Sequence, residues 1–436
     1  MAQRVQGTED LYGGYMRAWQ HMLDEAQALF GTYGFEQIET PALEQLDTFV
    51  HGIGESTDVV RKEMFRVFSG ALLPDILERG TEAGLKARQR MAMRPEGTAG
   101  VVRAAVEHNF VPQGGAPAKL WYGEAMFRGE RPQKGRLRQF HQVGVEVLGA
   151  SDPALDAEVI IMLMDYFVRL GFPREALALC INSMGDGACR PVYRERVRAF
   201  ILDHADEMCE DCLERAEVNP LRAFDCKNDH CREVMTAAPL AKDNLCEDCA
   251  AHYAQVKAYL DEAGIAYEED PTLVRGLDYY TRTVFEVDVA GAGVGAIGGG
   301  GRYDGLMELE GGKPTPGIGW AVGFERIELA LRSLGRTLET EPASCVYVAC
   351  TPDQRPAAFT AARALRAEGI RVEEDYQARS LKSQFKQADK LRARICVVLG
   401  ADEVAAGVAT VRDMATHDQE QVPLASLAAA VAARLG

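Results

Sequence analysis

Residues 120–148, LWYGEAMFRGERPQKGRLRQFHQVGVEVL, constrain the fold more than any other stretch, because they predict two strands joined by a charged loop. Side chains in a strand alternate between faces, so residues two apart share a face. In the second strand, one face is apolar and consists of Val143, Val145 and Val147. The opposite face carries Phe140, Gln142, Gly144 and Glu146. This pattern predicts a hairpin with one core face and one polar face.

The first strand and the connecting loop add charge to the polar face. Period two places Glu124 and Arg128 on one side of the first strand. The loop, residues 129–137, holds three basic side chains against the single carboxylate of Glu130; the basic residues are Arg131, Lys134 and Arg136. A cationic loop at the mouth of a polar face predicts an anionic ligand. A surface hairpin with a solvated loop is the simpler alternative.

The string FRGERPQKGRLRQFHQ, residues 127–142, resembles the second signature motif of class II aminoacyl-tRNA synthetases. Its ERPQKGR and RQFHQ segments are most similar to the version of the histidyl-tRNA synthetase family. The resemblance implies an α+β catalytic domain built on an antiparallel sheet, with a helical insertion, followed by a small α/β anticodon-binding domain. It also implies that this motif binds ATP through Arg128, Glu130 and Phe140, and that Arg131 contacts the acceptor end of tRNA.

Chain length and charge restrict the other possibilities. A chain of 436 residues has room for two to three domains. The net charge is −17, and all of it lies in the first 340 residues, because residues 341–436 contain 12 basic and 12 acidic side chains. An acidic average surface argues against a general nucleic-acid or membrane-surface binder.

The sequence also predicts a cytoplasmic location. The start, MAQRVQGTED, lacks the apolar core of a secretory signal, and the most apolar run, residues 159–168, is too short to span a membrane. Eleven cysteines in such a chain are expected to be reduced thiols or metal ligands. We therefore expect no membrane association.

The region before the hairpin contains a predicted helix and a second family motif. Residues 15–33 place apolar side chains at helical spacing and end at Gly31 and Gly34. FEQIETPALEQLDTF, residues 35–49, resembles motif 1 of class II synthetases, and residues 53–68 continue the likeness. The resemblance implies a homodimer through this motif. Taken alone, Pro41 is an ordinary loop proline.

The segment MRPEGTAGVVRAAVEH, residues 93–108, begins a predicted helix near Gly97. Thr98 is able to cap this helix, and Glu96 is able to favour the positive end of its dipole. In the resembled family the two side chains bind the α-ammonium group of the amino acid, together with Gln142. A fixed carboxylate is what an ammonium group requires.

Residues 153–170 predict a helix and residues 177–184 a buried strand, after which a cysteine-rich segment follows. Two Cys-x-x-Cys turns have the spacing of paired zinc knuckles, so one Zn²⁺ ion is a candidate ligand. The preferred ligands are Cys209, Cys212, Cys246 and Cys249, with Cys226 and Cys231 as alternatives. Redox pairs or buried thiols are the competing interpretation. The resembled family has a helical insertion here that contacts the tRNA acceptor arm, without a general zinc site.

Residues 271–289 contain RGLDYY, which resembles the histidine-specific signature of the family. By that resemblance Arg275 contacts the ATP α-phosphate and the amino acid carboxylate, while Tyr279, Tyr280 and Glu146 belong to the histidine site, with Tyr280 and Glu146 on the imidazole. A turn near Gly276 is needed for Arg275 and Tyr280 to converge. Without the resemblance, Arg275 is more simply a salt-bridge partner. A fixed guanidinium would stabilise the charge that develops during phosphoanhydride exchange.

Two further motifs precede the end of the catalytic region. AIGGGGRYDGL, residues 296–306, looks like a phosphate loop but lacks the P-loop and dinucleotide-binding spacings. Its glycines suit a close backbone approach to a small ligand beside a strand. Residues 316–334 predict a strand followed by a helix and resemble motif 3, in which Arg326 would bind the ATP γ-phosphate.

Beyond residue 343 the chain alternates predicted strands and helices, which indicates a small α/β domain with a largely parallel sheet. A helix over residues 379–392 carries basic side chains at helical spacing: Arg379, Lys382, Lys386 and Lys390. This stripe is an ordinary solvated face or, by the resemblance, a tRNA contact.

The predicted organisation is a catalytic domain (1–185 and 256–335), a cysteine-rich insertion (186–255), a linker (336–343) and an anticodon-binding domain (344–436). The resemblance covers essentially the whole chain. It implies an enzyme that activates L-histidine with ATP and Mg²⁺ and transfers it to tRNA(His). One alternative is a non-catalytic paralogue that regulates ATP phosphoribosyltransferase, and another is a zinc-stabilised RNA-binding protein.

Overall fold

A computed structural model describes residues 2–54, 57–81, 84–342 and 344–435. Residues 55 and 56 of the predicted motif 1 continuation and residue 343 of the predicted linker lie outside them. The chain divides into two compact units, residues 1–339 and 340–436. The boundary falls within the predicted linker.

The first unit combines strands and helices along its whole length. Its strands are β1 (Glu36–Gln37), β2 (Leu43–Gln45), β3 (Arg66–Val67), β4 (Met91–Met93), β5 (Ala118–Phe127), β6 (Gln139–Leu148), β7 (Leu177–Ser183), β8 (Glu268–Glu269), β9 (Thr281–Val289), β10 (Gly298–Arg302) and β11 (Gly317–Gly323). Its helices are α1 (Gly13–Thr32), α2 (Leu46–Ile53), α3 (Leu73–Arg79), α4 (Thr98–His108), α5 (Pro153–Arg169), α6 (Arg190–Asp203), α7 (Glu210–Val218), α8 (Asp229–Met235), α9 (Glu247–Glu262), α10 (Leu306–Leu309) and α11 (Phe324–Ser333). The predicted hairpin, the predicted helix α1 and the predicted elements α5 and β7 are confirmed.

The main sheet of the first unit has eight strands among the described residues, in the order β1-β5-β6-β11-β10-β9-β7-β8. The six central strands pair antiparallel, as predicted, whereas β1 and β8 join the two edges in parallel. Strand β6 lies between β5 and β11 and pairs along its full length with β5. The hairpin is therefore central to the sheet and not a surface feature.

One face of this sheet forms the main hydrophobic core. Val143, Val145 and Val147 are fully buried in it, as the alternation predicts. Helices α1 and α5 cover this face with side chains that include Trp19 and Phe167. Burial of such side chains is worth about 1.5–3 kcal/mol each, so this face holds β6 in position. The other face of β6 is then available for polar groups.

The glycine-rich run is a central strand and not the loop that its composition suggested. Residues 298–302 form β10, which pairs with β9 and β11 and is buried throughout. At Gly300 a Cβ would overlap the backbone of the neighbouring strand at Gly319. The glycines therefore serve a close strand-to-strand approach, in addition to any approach to a ligand.

A buried charge cluster ties β10 to two helices. Arg302 and Asp156 are both fully buried, and the Arg302 Nε atom lies 3.0 Å from Asp156 Oδ1. The second carboxylate oxygen of Asp156 lies 2.8 Å from His252 Nε2 on α9. A buried charge without its partner typically costs 3–5 kcal/mol, so these groups require one another. The cluster fixes the end of the glycine-rich strand relative to α5 and α9.

The cysteine-rich segment forms helices α6, α7 and α8, which pack with the first unit and are not separated from it. Their apolar side chains share a core with Tyr279, Tyr280 and Tyr303. The predicted end of the insertion, residue 255, lies inside helix α9. The buried residues of α9, including Val256, pack in the main core.

Over its described residues, the second unit contains a five-stranded sheet and helices. Its strands are β12 (Val346–Cys350), β13 (Val372–Glu374), β14 (Ile395–Leu399), β15 (Val408–Asp413) and β16 (Gln419–Pro423), and its helices are α12 (Arg355–Ala367), α13 (Leu381–Lys390), α14 (Ala401–Ala405) and α15 (Leu427–Leu435). Strands β13, β12 and β14 are parallel, but β15 and β16 are antiparallel, so the sheet is mixed and the expectation of a largely parallel sheet is wrong. A search of the described helices of both units finds none with the length and apolar character needed to cross a membrane.

Candidate active site

A cavity of about 250 Å³ opens on the polar face of the β5–β6 hairpin. The three arginines that the sequence singled out, Arg128, Arg275 and Arg326, all line this one cavity, although they are far apart in the sequence. The other lining residues are Glu130, Gly135, Arg136, Leu137, Phe140, Gln142, Gly276, Glu286, Ala296, Ile297, Gly298, Gly299, Ala321, Gly323 and Glu325. Arg128 directly follows β5, Arg275 precedes β9 and Arg326 lies on α11 just after β11, so the order of these strands in the sheet brings the three arginines to one place.

Backbone carbonyls and an aromatic ring hold two of these arginines. Arg128 Nε donates to the carbonyl oxygen of Pro95 at 2.9 Å, and its guanidinium carbon lies 5.1 Å from the centroid of the Phe140 ring. Arg326 Nη1 donates to the carbonyl oxygen of Ala296 at 2.8 Å. Each guanidinium keeps further N–H groups for a ligand, since it has five donors.

The cavity has a cationic character. Burial, and then the neighbouring charges of Arg136 and Arg128, lower the pKa of Arg326. Like charges at close range repel one another. An anion bound in the cavity would therefore reduce the electrostatic repulsion between these arginines. The carboxylates of Glu130, Glu286 and Glu325 offset part of the positive charge.

Arg275 forms an ion pair with Glu286 on β9, so the salt-bridge interpretation describes this conformation. The chain bends at Gly276, and the guanidinium carbon of Arg275 lies 5.8 Å from the centroid of the Tyr280 ring. The predicted turn therefore brings the two side chains together. Arg275 and Glu286 both line the cavity, so the ion pair fixes the guanidinium at its wall.

Gln142 has an unsatisfied acceptor in this site. Its Oε1 atom is buried and has no hydrogen-bond partner among the described residues. A buried acceptor without a donor costs about 1–3 kcal/mol. Gln142 therefore has the capacity to accept a hydrogen bond from a ligand N–H group.

Glu146 lies deeper than the sequence predicts. Its side chain is fully buried, and it is not among the residues that line the cavity. Thr98 Oγ1 donates to Glu146 Oε1 at 2.7 Å, Tyr122 donates to the same oxygen at 3.4 Å, and the Tyr303 hydroxyl donates to Glu146 Oε2. Phe140, Gln142 and Glu146 share one face of β6, as the alternation predicts, but Phe140 and Gln142 line the cavity whereas Tyr303 and Tyr122 close over the Glu146 carboxyl group.

Two glycines create the space for this cluster. A Cβ at Gly144 would overlap the Tyr122 ring, and one at Gly319 would overlap the Glu146 carboxyl group. Gly144 and Gly319 lie on the adjacent strands β6 and β11. The absence of side chains at these positions allows Tyr122 and Glu146 to lie against the sheet.

Burial changes the acid–base behaviour of Glu146. Desolvation raises its pKa to about 8, although the hydrogen bonds from Tyr303 and Thr98 oppose this change. Burial also raises the pKa of Tyr303 and of Tyr122, and both stay protonated. The cluster therefore holds a neutral carboxyl group at neutral pH, which is able to donate as well as accept.

Glu96 acts as a cap for helix α4. Its carboxylate accepts the backbone N–H of Thr98 at 2.8 Å and that of Ala99 at 2.9 Å. Burial raises its pKa, while these two hydrogen bonds oppose that effect. The capping alternative describes what Glu96 does in this conformation, and binding of an ammonium group stays a prediction.

The aromatic signature residues lie next to this cluster. Tyr279 and Tyr280 are buried, with 8% and 7% of their surface exposed. The Tyr279 ring centroid lies 4.6 Å from that of Tyr280 and 5.7 Å from that of Tyr303. The three rings form one wall beside Glu146.

The charged loop between β5 and β6 covers one side of the cavity. Glu130 Oε2 lies 3.6 Å from Arg136 Nη1, and the backbone of Gln133 pairs with that of Arg136. Arg131 is exposed at the edge of the loop. Its predicted contact with tRNA stays a prediction.

The cysteines form two groups, so a single site made of Cys209, Cys212, Cys246 and Cys249 is wrong. Cys209 and Cys212 lie with Cys226 and Cys231. Cys246 and Cys249 lie with Asp186 and Cys189. The error arose because sequence spacing identifies each pair but does not show which pairs meet in the fold.

The basic stripe of α13 is partly engaged. Lys382 and Lys386 are exposed, whereas Arg379 Nη1 lies 3.3 Å from the buried carboxylate of Asp375. Arg379 therefore has a structural partner within its own unit. The two lysines are the better candidates for contact with a nucleic acid.

Several site residues were missed by the sequence interpretation: Tyr122, Tyr303, Glu286 and Glu325. Glu286 stood out as a carboxylate inside the apolar run TVFEVDV, and Tyr303 directly follows the glycine-rich segment and its arginine. Glu325 accepts the backbone N–H of His141 at 3.0 Å, which connects α11 to β6. No local pattern indicates that connection.

Comparisons with known proteins match this arrangement. A family model described as Histidyl-tRNA synthetase matches residues 84–327, and one described as Anticodon binding domain matches residues 344–434. The chain is 44% identical to a histidine–tRNA ligase of Anaeromyxobacter sp. (strain K), over 98% of this chain and 98% of that protein.

Two solved structures show the same fold. The crystal structure of apo S. aureus histidyl-tRNA synthetase has a TM-score of 0.80 and 35% identity, and the match covers 99% of each chain. A Bacillus halodurans structure described as an ATP phosphoribosyltransferase regulatory subunit/histidyl-tRNA synthetase has a TM-score of 0.62 and 18% identity, with 92% of this chain and 97% of that chain covered. The second likeness shows the fold alone.

The large antiparallel-centred sheet with its arginine-lined cavity, followed by a unit with a small mixed sheet, defines a class II synthetase catalytic domain with an anticodon-binding domain. Class II synthetases use ATP and Mg²⁺, and the mixed guanidinium and carboxylate lining is compatible with both. The chain belongs to the histidyl-tRNA synthetase family.

The raised pKa of Glu146 predicts a specific pH dependence of stability. Between the ordinary value of 4.5 and about 8, the folded chain keeps a proton that the unfolded chain releases. The free energy of unfolding of the native protein should therefore fall as pH rises, by up to about 1.4 kcal/mol per pH unit. Glu146→Gln removes this term.

Urea unfolding at about pH 5.5 and about pH 7.5 measures the effect, with the variant gaining stability relative to the native protein at the higher pH. Glu310, whose pKa burial also raises to about 8, contributes equally to both proteins and cancels in the difference. If the free energies of unfolding of the native protein and of the variant changed equally with pH, Glu146 would be ionised in the folded protein at neutral pH.

Proposed function

We propose that this chain is an enzyme that activates L-histidine with ATP to histidyl-adenylate and pyrophosphate, and then transfers histidine to the 3′ end of tRNA(His). The observation that carries the proposal is the single cavity that holds Arg128, Arg275 and Arg326 beside a buried polar cluster. Membership of the histidyl-tRNA synthetase family supports the choice of substrates.

The chemistry requires no nucleophilic side chain. In the first step an oxygen of the histidine carboxylate attacks the α-phosphorus of ATP, and the bond to pyrophosphate breaks. In the second step a hydroxyl of the terminal ribose attacks the histidyl carbonyl carbon, and AMP leaves with the bonding electron pair. Positioning and charge stabilisation then supply the acceleration.

The three arginines have distinct roles in this proposal. Arg128 and Arg326 bind the triphosphate, because each is anchored by a backbone carbonyl and directs its remaining donors to the cavity. Arg275 binds the α-phosphate and the histidine carboxylate at the reacting centre. Phe140 stacks on adenine, with the Arg128 guanidinium above the same ring.

The histidine pocket is the buried cluster next to the cavity. Gln142 Oε1 has an open acceptor position for the α-ammonium group, and Glu96 and Thr98 lie at the same end of α4. Glu146 and Tyr280 bind the imidazole, and Tyr279 packs beside them. Entry of the imidazole requires the hydrogen bond between Tyr303 and Glu146 to open, because Glu146 is otherwise fully enclosed.

The residues present fit Mg²⁺ as well. Carboxylate oxygens are its preferred protein ligands, and Glu130 and Glu286 supply them in the cavity. When bound, Mg²⁺ offsets phosphate charge. The carboxylates of this chain would orient it, while the arginines bind the phosphate oxygens directly.

The regulatory-subunit alternative is less well supported. Regulators of ATP phosphoribosyltransferase that resemble this family usually lack an anticodon-binding domain. This chain has a match to such a domain over residues 344–434, and its likeness to the B. halodurans structure is at the level of the fold.

Arg275 provides the sharpest test of catalysis. Arg275→Ala should lower histidine-dependent pyrophosphate exchange into ATP by about 10²–10³-fold, because one preorganised donor at a charged transition state is worth that much. Histidine binding, measured by calorimetry, should weaken far less than the exchange rate, because Gln142, Glu146 and Tyr280 still hold the ammonium group and the imidazole. Arg174→Ala is the control, because the Arg174 side chain is 49% exposed and pairs with Asp165 away from the cavity.

An unchanged exchange rate in Arg275→Ala would refute the role of Arg275. A well-folded native protein without any histidine-dependent exchange would refute the enzyme proposal as a whole. Far-ultraviolet circular dichroism separates these results from misfolding, because Glu286 loses its partner in the variant.

The second unit is proposed to bind tRNA through the exposed lysines of α13. Lys386→Glu should raise the KM for tRNA(His) in aminoacylation. The dependence of that KM on salt concentration should also weaken, by about the contribution of one phosphate contact. Pyrophosphate exchange should stay unchanged. Arg363→Glu is the matched control, because Arg363 is exposed on α12 of the same unit. Equal effects of both variants would indicate a general loss of positive charge and not a contact.

We also propose a cytoplasmic homodimer. The resemblance of residues 35–49 to motif 1 supports it, and Leu43 on β2 in that segment is 47% exposed. Light scattering should report about twice the chain mass of 47.7 kDa. A monomer that is active in exchange would overturn the dimer.

The thiol clusters are proposed to hold structural Zn²⁺. Four-ligand groups rich in cysteine are the usual setting for such ions.

A further inference from the structure

We infer that residues 186–249 form two separate zinc sites, one with four cysteines and one with three cysteines and an aspartate. The first, the knuckle site, consists of Cys209, Cys212, Cys226 and Cys231. The second, the hinge site, consists of Asp186, Cys189, Cys246 and Cys249. In each group the potential ligand atoms lie within 4.8 Å of one another.

The knuckle site has the dimensions of a tetrahedral zinc centre. A Zn–S bond of about 2.3 Å places two sulfur atoms about 3.8 Å apart. The Sγ atoms of Cys209 and Cys226 are 3.8 Å apart. Three of the four cysteines are buried, and the two pairs come from the starts of α7 and α8.

Backbone groups favour thiolates at the knuckle site. The N–H of Cys209 points to Cys231 Sγ at 3.2 Å, and the N–H of Asn228 points to Cys226 Sγ at 3.4 Å. Zinc binding requires each thiol to lose its proton, and hydrogen bonds to the resulting anion lower the cost of doing so.

The hinge site combines thiols with a carboxylate that is already oriented. Asp186 Oδ1 lies 3.9 Å from both Cys189 Sγ and Cys246 Sγ. The other oxygen, Oδ2, accepts from Arg282 Nη2 at 3.0 Å. Three thiolates and one carboxylate around Zn²⁺ carry a net charge of −2, and the Arg282 guanidinium offsets part of it.

Disulfides explain these groups less well. All eleven cysteines are free thiols in this structure. The hinge site holds three cysteines, so one would be left over by any pairing, and an aspartate has no role in a disulfide. Convergence of four ligand atoms on one point is instead the arrangement that a metal ion requires.

The two sites support different parts of the molecule. The knuckle site joins α7 and α8 within the cysteine-rich segment. The hinge site joins the segment after β7 to the start of α9. In the same segment, the carbonyl oxygen of Gly185 accepts a hydrogen bond from the backbone N–H of Arg282. Arg190, directly after Cys189, donates to the carbonyl oxygens of Tyr280 and Asp278. The hinge site therefore positions the segment that carries Tyr279 and Tyr280.

This positioning role rests on the proposed function, whereas the presence of the two ions does not. Loss of the hinge site should raise the KM for histidine in pyrophosphate exchange, because it releases the backbone beside Tyr280. Loss of the knuckle site should change that KM less. Both effects are measured separately from metal content, so failure of one proposal is distinguishable from failure of the other.

Metal analysis of the full chain, purified with Zn²⁺ present, tests the inference directly. We expect two zinc ions per chain and eleven alkylatable thiols after denaturation without reductant. Cys231→Ser and Cys249→Ser should each lose one ion and keep the other. Cys180→Ser is the control, because Cys180 is a half-buried thiol on β7 outside both groups, and this variant should keep two ions.

The contrary results are equally specific. A zinc-free protein, or one with fewer than eleven free thiols, overturns the inference. A single ion that is lost in both variants indicates one shared site and also overturns it. If a variant fails to fold, Co²⁺ exchanged into the native protein provides the second measurement: sulfur-to-cobalt charge-transfer bands at two equivalents support two tetrahedral sites, and saturation at one equivalent contradicts them.

Discussion

Repulsion between guanidinium groups that share one cavity is the constraint on which the site depends, and it acts most clearly on Arg326, whose pKa is lowered by burial and then by the charges of Arg136 and Arg128. Arg128, Arg275 and Arg326 come from three distant segments, yet they line one cavity. Holding like charges together costs free energy, which the protein offsets with Glu286, Glu130 and anchoring carbonyl groups. An anionic ligand such as a triphosphate would replace this repulsion by attraction, which gives the site its affinity and its preorganisation.

The packing beneath the cavity shows how the sheet accepts polar groups on one face. Val143, Val145 and Val147 anchor β6 in the core, so the alternate side chains must point the other way. Glycines at 144 and 319 leave room for Tyr122 and Glu146, and the tyrosine hydroxyls satisfy the carboxyl group. A neutral carboxyl group with a pKa of about 8 is the consequence.

The cysteine-rich segment is connected to the same pocket by backbone contacts. Its apolar side chains share a core with Tyr280, and Arg190 donates to the carbonyl oxygen of that residue. Small helices such as α7 and α8 bury little apolar surface by themselves, so cross-links between their ends have more influence on their stability than in a larger core. The argument applies to the cysteine group of α7 and α8, whereas the group of Asp186, Cys189, Cys246 and Cys249 lies between the segment after β7 and the start of α9.

Local periodicity in the sequence was sufficient to predict the β5–β6 hairpin, helix α1 and the two faces of β6, because these depend on neighbours along one strand or helix. The family resemblance identified Arg128, Arg275 and Arg326, and the structure brings them to one cavity.

Other features depended on contacts between distant segments. The glycine-rich run became a central strand because its neighbours approach too closely for side chains. Tyr303 closed over Glu146, and the two Cys-x-x-Cys pairs joined different partners. Only the tertiary structure decided these pairings, because which groups meet depends on the order of strands and the packing of helices, and neither is encoded in the spacing of residues along the chain.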